Sequence, residues 1–224
     1  IRRQRQMCIR DRDERMLETP SIALQSVINE TIRMGEIVRE SLNIAKNVLH
    51  TKSEEDIKLL KEDEDIVDRL CAGITDYTIK LSALQISERE HQTTAHLLQV
   101  LSDIERVSDY CENISEFAET MIEKKLDFSD VANEQLDEMI ASTVDSYNYA
   151  LDAFREESTE KALKVIEKET QVDDLEITLR SRHMKRLAKN ECNTEAGVVF
   201  LDTLVCMERI SDHARNIAEE VLGN

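Results

Sequence analysis

Leu98–Phe117 reads LQVLSDIERVSDYCENISEF, and Leu201–Glu220 reads LDTLVCMERISDHARNIAEE. At a constant offset of 103, nine of the twenty positions are identical: Leu98, Leu101, Glu105, Arg106, Ser108, Asp109, Asn113, Ile114 and Glu116 in the first copy. Unrelated segments would share about one, so the chain contains an internal repeat and its architecture must be built from two matching halves. Two of the repeated residues are carboxylates four apart, so the repeat carries chemistry as well as fold.

The surroundings of the two segments are helical. The 224 residues include only four Gly, one Pro and no Trp, with aromatics at 4%. Such a composition belongs to long helices rather than to sheets. Pro20 is the sole proline, and a helical pattern follows it from Ser21 to about His50. Ser53, followed by Glu54, Glu55 and Asp56, caps a second helix running to about Ala83. Ser87 and Glu90 form a capping box that opens a third, ending near Lys125. Ser129 restarts the chain for a fourth helix to about Glu156. Ser158 or Thr159 caps a fifth to about Lys189, and Asn193 or Thr194 a sixth that ends at Gly223.

Apolar residues follow a 3-4 seam in the third helix: Leu97, Val100, Ile104, Val107, Cys111, Ile114, Ala118, Met121. The sixth repeats it with Phe200, Thr203, Met207, Ile210, Ala214, Ile217 and Val221. Seams of this kind bury against neighbouring antiparallel helices. The expected fold is therefore all-α: six helices in two tandem three-helix bundles related by a pseudo-twofold, residues 13–126 and 127–224. The first dozen residues, IRRQRQMCIRDR, carry five Arg in an otherwise acidic chain and read as a non-native or linker segment.

Charge and cysteine narrow the partners. A net charge of -18 disfavours nucleic acid and anionic lipid, and suits a cation binder. The five cysteines form no CxxC pair and mostly fall within helical patterns, as reduced thiols of a cytosolic protein do. The least polar stretch, Ala196–Met207, is shorter than the roughly 18–20 residues that span a bilayer and contains Asp202.

Glu64 interrupts the apolar seam of the second helix (Ile57, Leu60, Val67, Cys71, Ile74). Glu169 interrupts that of the fifth (Ala162, Val165, Val172). Asp68 follows Glu64 by four residues and Asp173 follows Glu169 by four, so each pair shares one helix face. Glu105/Asp109 and Glu208/Asp212 have the same spacing, in line with Leu98 and Leu201 beside the seam. Each half thus presents two E-x-x-x-D pairs on adjacent helices. Partly buried carboxylates repel one another and lose hydration, and hard cations compensate that cost well. The competing expectation is that Arg106, Arg209 and neighbouring cations neutralise the acids as an interhelix ion-pair network.

Other constellations are weaker. Glu88-x-x-His91 has the spacing of one ferritin-type di-iron motif, but that chemistry needs two. His91 and His96 diverge by about 140° on one helix and cannot share a zinc. His213 lies inside the repeat and is an optional further ligand. No phosphate-binding glycine loop, dinucleotide fingerprint or nucleophile elbow is present. No catalytic residue emerges, and an enzyme is not expected.

The E-R-[VI]-S-D-[YH]-x-x-N-I segments, each preceded in its half by E-x-x-x-D, resemble the PhoU family of phosphate-signalling proteins over about residues 25–222. The resemblance implies a pair of three-helix bundles that bind metal (Fe, Mn, Mg or Zn) through these carboxylates. Glu64, Asp68, Glu105 and Asp109 would form one site, and Glu169, Asp173, Glu208 and Asp212 the other. Asn113 and Asn216 match a family position near the acids. Tyr110 departs from a frequent His, and Ser108 and Ser211 from a common Gly. Asp13–Leu24 with RMGEI at 33–37 is similar to the segment that joins the membrane part of bacterial sodium-dependent phosphate cotransporters to their C-terminal PhoU-like domain. The implied function is a cytoplasmic regulatory domain of such a cotransporter, at the inner face of the inner membrane and docked on the membrane part. The alternative is a free-standing PhoU-type adaptor that touches a phosphate transporter and a sensor kinase. By analogy with bundles of this kind, a homodimer is expected.

Overall fold

The computed structural model describes residues 14–223, with side chains from Met16 onward; the Arg-rich segment 1–12 lies outside the described residues. A short 3-10 turn at Glu14–Glu18 leads into six helices: α1 (Pro20–Thr51), α2 (Glu54–Ser82), α3 (Glu88–Glu123), α4 (Asp130–Glu156), α5 (Thr159–Ala188) and α6 (Thr194–Leu222). Among the described residues there is no strand.

Five of the six helices start where a side chain satisfies orphan amides, and α1 starts at a proline. Pro20 sits in the first turn of α1, where its missing N–H costs nothing. Ser53 accepts from the Asp56 amide, Ser129 from Ala132, and Ser158 from Lys161. Ser87 and Glu90 make the reciprocal capping box. Asn193, rather than Thr194, caps α6 and accepts from two amides. The chain leaves α6 through Gly223 at φ 76°, a left-handed conformation that glycine adopts without a Cβ clash.

Within each half the three helices pack on one another: α1, α2 and α3 in the first, α4, α5 and α6 in the second. The halves join through α1 against α4 and α3 against α6, so each equivalent pair meets its own counterpart, as a pseudo-twofold requires. Helices α2 and α5 lie on the outside. One apolar core runs through both halves, and every residue of the α3 seam is within it. At the α1–α4 crossing, Gly35 lets the backbones approach: a Cβ there would stand 2.4 Å from Leu151 Cδ1. Tyr147 fills the adjoining space, and its hydroxyl donates to the Gly35 carbonyl at 3.0 Å. Arg39 of α1 extends the join, donating to Asp152 at 2.7 Å and to the Asn148 carbonyl at 3.1 Å.

The seam expected for α2 is corrected by one residue at two positions. Asp63 and Leu70 are buried there, whereas Glu64 and Cys71 are half-exposed at its edge. Asp63 can be buried because it is hydrogen-bonded; Ser41 of α1 donates to it at 3.3 Å. In α5 the expected seam holds, with Ala162, Val165, Glu169 and Val172 all buried. Among the described residues Cys71, Cys111, Cys192 and Cys206 are free thiols, of which Cys111 and Cys206 are buried. No helix among the described residues is long and apolar enough to cross a membrane.

Candidate metal centres

The packing of α2 on α3 brings Glu64 and Asp68 against Asp109, and that of α5 on α6 brings Glu169 and Asp173 against Asp212. In each triad one carboxylate oxygen per residue lies within 4.8 Å of the others. The triads occupy equivalent positions in the two halves. Glu105 and Glu208 fall outside them, one turn away on α3 and α6, where they face Arg106 Nε at 3.7 Å and Arg209 Nε at 3.4 Å.

Crowding and partial burial oppose ionisation. The Glu64 carboxyl is pushed up to about 7, first by loss of hydration and then by the charges of Asp68 and Glu112. Burial also raises Asp109, Asp173 and Asp212, with Asp68 adding to the first, Glu169 to the second and Glu169 again to the third. Glu105 and Glu208 move the same way, through burial and then the aspartate one turn on. Asp173 Oδ1 is buried without a hydrogen-bond partner among the described residues. Oxygen-only donors, mutual repulsion and an orphan acceptor together fit a hard cation such as Mg, Mn or Fe better than a soft one. Zinc fits less well because neither triad contains Cys or His.

The arginines do not form the expected interhelix network. Arg106 and Arg209 bridge to Asp109 at 2.9 Å and Asp212 at 3.3 Å along their own helices, and both remain more than half exposed. Pairs of that kind are screened and contribute little. Among the described residues the one interhelix cation at a triad is Arg215 of α6, which donates to Glu169 at 2.8 Å and to Glu219 at 2.8 Å. It explains why Glu169 is buried. In the first half the equivalent position is Glu112, a further acid, which is itself raised by burial and by Glu116. The two centres are therefore unequal: each has an arginine on its own helix, but only the second is also neutralised in part by a cation reaching between helices.

His213 and Asn216 border the pocket beside Glu169 and Asp212 but bond a different acid, Asp103. His213 Nδ1 lies 2.8 Å from Asp103 Oδ1, and Asn216 donates to the same oxygen at 2.9 Å. Gln99 donates to Asp103 Oδ2 at 3.1 Å. Asp103, only 2% exposed, is thus a polar tie between α3 and α6, with Tyr110 and His213 rings 5.9 Å apart beside it. Asn216 therefore does lie near the acids, as expected, while His213, the optional further ligand, joins neither triad and ties to Asp103 instead. Glu88 and His91 sit in the exposed first turn of α3, and His96 pairs with Glu220; none of them joins a triad.

A two-bundle helical protein with one carboxylate triad per bundle defines the class. The family model described as the PhoU domain matches residues 31–118 and 136–221, and the chain belongs to that family. It is 28% identical over 200 residues to the phosphate-specific transport system accessory protein PhoU homolog 1 of Thermotoga maritima, covering 87% of this chain and 83% of that one. It is 23% identical over 212 residues to YjbB of Salmonella typhimurium, a protein named for inorganic phosphate export. That match takes in 94% of this chain but 39% of the longer relative. The fold matches the crystal structure of PhoU from Pseudomonas aeruginosa with a TM-score of 0.85 at 22% identity, over 90% of this chain and 96% of that one. PhoU from Streptococcus pneumoniae matches at 0.81 and 21% identity, over 91% and 95%.

Proposed function

We propose that this chain is a non-enzymatic accessory protein of phosphate transport, of the free-standing PhoU type, which binds a divalent or trivalent cation at each of two acidic centres. The observation that carries the cation binding is the pair of carboxylate triads in twofold register, Glu64/Asp68/Asp109 and Glu169/Asp173/Asp212. The match along most of the length of the Thermotoga accessory protein favours the free-standing form over a transporter domain. The residues would hold the ion as oxygen donors, with Glu105 and Glu208 in reserve one turn away; the ion would supply charge neutralisation. The partner would be phosphate-transport machinery at the cytoplasmic face of the membrane, with a sensor kinase as a further contact and a homodimer as the working form.

A second reading makes the chain a regulatory domain fused to a membrane transporter. It is favoured by the YjbB match, in which nearly all of this chain aligns with a minority of a longer protein. The DNA upstream separates the two: in-frame hydrophobic spans favour the fusion, a stop codon the adaptor.

The cation reading is tested by elemental analysis of purified protein against the Glu64→Gln/Glu169→Gln double variant. Wild-type protein is expected to carry metal that the variant lacks. Equal metal content in both would remove the site assignment.

A further inference from the structure

Away from both triads, the C-terminal turns of α5 and the N-terminal turns of α4 and α6 enclose a cavity of about 290 Å³, with His183, Arg186, Ser129, Asn193, Phe128 and Phe200 among its walls. His183 is 2% exposed and stacks on Phe200 with ring centroids 4.6 Å apart. Arg186 Nη2 lies 3.3 Å from His183 Nδ1. A guanidinium can only donate, so Nδ1 must accept, and in the neutral ring the proton sits on Nε2. That Nε2–H is buried and has no hydrogen-bond partner among the described residues. It packs against Gly197 at the cavity wall, where a Cβ would come within 2.7 Å.

Arg186 adds a positive charge to this wall. Arg186 donates to neutral Gln135 at 3.0 Å, packs over Phe200 at 5.7 Å, and has no carboxylate partner among the described residues, where its Nε is also buried and unpaired. The α4 and α6 N-termini direct their positive dipole ends toward this region. Two acids border the cavity, but Asp127 pairs with Lys52, and Glu191 lies 3.9 Å from Lys189. A buried imidazole N–H without an acceptor and a guanidinium without a carboxylate among the described residues thus stand at one cavity wall, beside the capped starts of α4 and α6. We infer that this cavity is a binding site for a small oxyanion, a carboxylate or an inorganic oxyanion, held by His183 Nε2–H and Arg186.

The test is an NMR titration of the full chain, following the imidazole nitrogens, with His183→Gln assigning the His183 signal. Sodium acetate and sodium phosphate are added separately, with sodium chloride as the ionic-strength control. The expected result is a saturable shift of the His183 Nε2–H signal with at least one of them. The arm that saturates at lower concentration identifies the source. Loss of a charge-assisted contact in Arg186→Gln should weaken that binding about tenfold or more while helical content is unchanged. Should that variant not fold, Gly197→Ala, whose methyl would stand against Nε2, supplies the comparison. The proposal is overturned if neither acetate nor phosphate gives a saturable shift beyond chloride, or if the shift persists undiminished in the folded variant. Metal content plays no part in the readout, so this outcome is independent of the triads.

Discussion

Replacing Glu64 by Gln should move the stability of the metal-free and metal-loaded protein in opposite directions. In the native chain this carboxyl titrates near 7 instead of its ordinary 4.5, because it is partly dehydrated and faces Asp68 and Glu112. Holding it ionised at pH 8 costs up to about 3 kcal/mol. The side chain is half-exposed, and solvent screening leaves about 1–2 kcal/mol of that. The folded form binds this proton more tightly than the unfolded chain does. Its contribution is therefore fully present below pH 4.5 and is lost as pH rises toward 7. Glu105, Asp109, Glu112, Asp173, Glu208 and Asp212 are raised as well and act in the same direction. Apo protein should thus melt lower at pH 8 than near pH 5. In EDTA at pH 8, Glu64→Gln should melt about 2–8 °C above wild type, with the gap closing near pH 4.5. With manganese at a hundredfold excess over its dissociation constant, wild type should gain about 2.7 kcal/mol per site and the variant less. Circular-dichroism melts with EDTA or manganese at the two pH values read all four cases. A variant less stable than wild type in EDTA, with an unchanged manganese response, would refute the reasoning.

Three further outcomes follow from the packing. Arg215→Gln strips the interhelix cation from buried Glu169 and should lower apo stability by about 3 kcal/mol, with manganese restoring more stability than it adds to wild type; denaturant midpoints with and without the ion measure this. Tyr147→Phe removes the hydroxyl bond to Gly35 across the α1–α4 crossing and should cost about 1–2 kcal/mol in urea unfolding, with unchanged metal content. Asp103→Ala leaves His213, Asn216 and Gln99 without their shared acceptor between α3 and α6; a loss of about 2–3 kcal/mol is expected, with faster amide exchange along both helices.

Much of this was legible before any coordinates. The repeat dictated two halves, and short polar residues before each periodic run marked the helix starts, so Ser53, Ser87, Ser129 and Ser158 stand where caps were expected. The E-x-x-x-D spacing located two carboxylates of each triad on one helix and the third on its neighbour. Three features were hidden, each for a physical reason. Helices α3 and α6 pack on their own trio and on the opposite half, so their buried arcs are wider than one seam, and Asp103 lies in the part that a single stripe does not reveal. On α2 the buried acid is Asp63 rather than its neighbour Glu64, a difference of one residue that apolar spacing does not resolve. The inequality of the two centres rests on Glu112 against Arg215, at one of the positions where the repeat is not conserved between copies. Comparing the unlike positions of the repeat, and not only the like ones, would have exposed it.

Anomalous diffraction from crystals soaked in manganese measures the cation claim directly. The account predicts density between Glu64, Asp68 and Asp109 at the first centre, and weaker density between Glu169, Asp173 and Asp212, where Arg215 competes. Absence of an anomalous peak at both centres, with Arg106 and Arg209 still resting on Asp109 and Asp212, would contradict it.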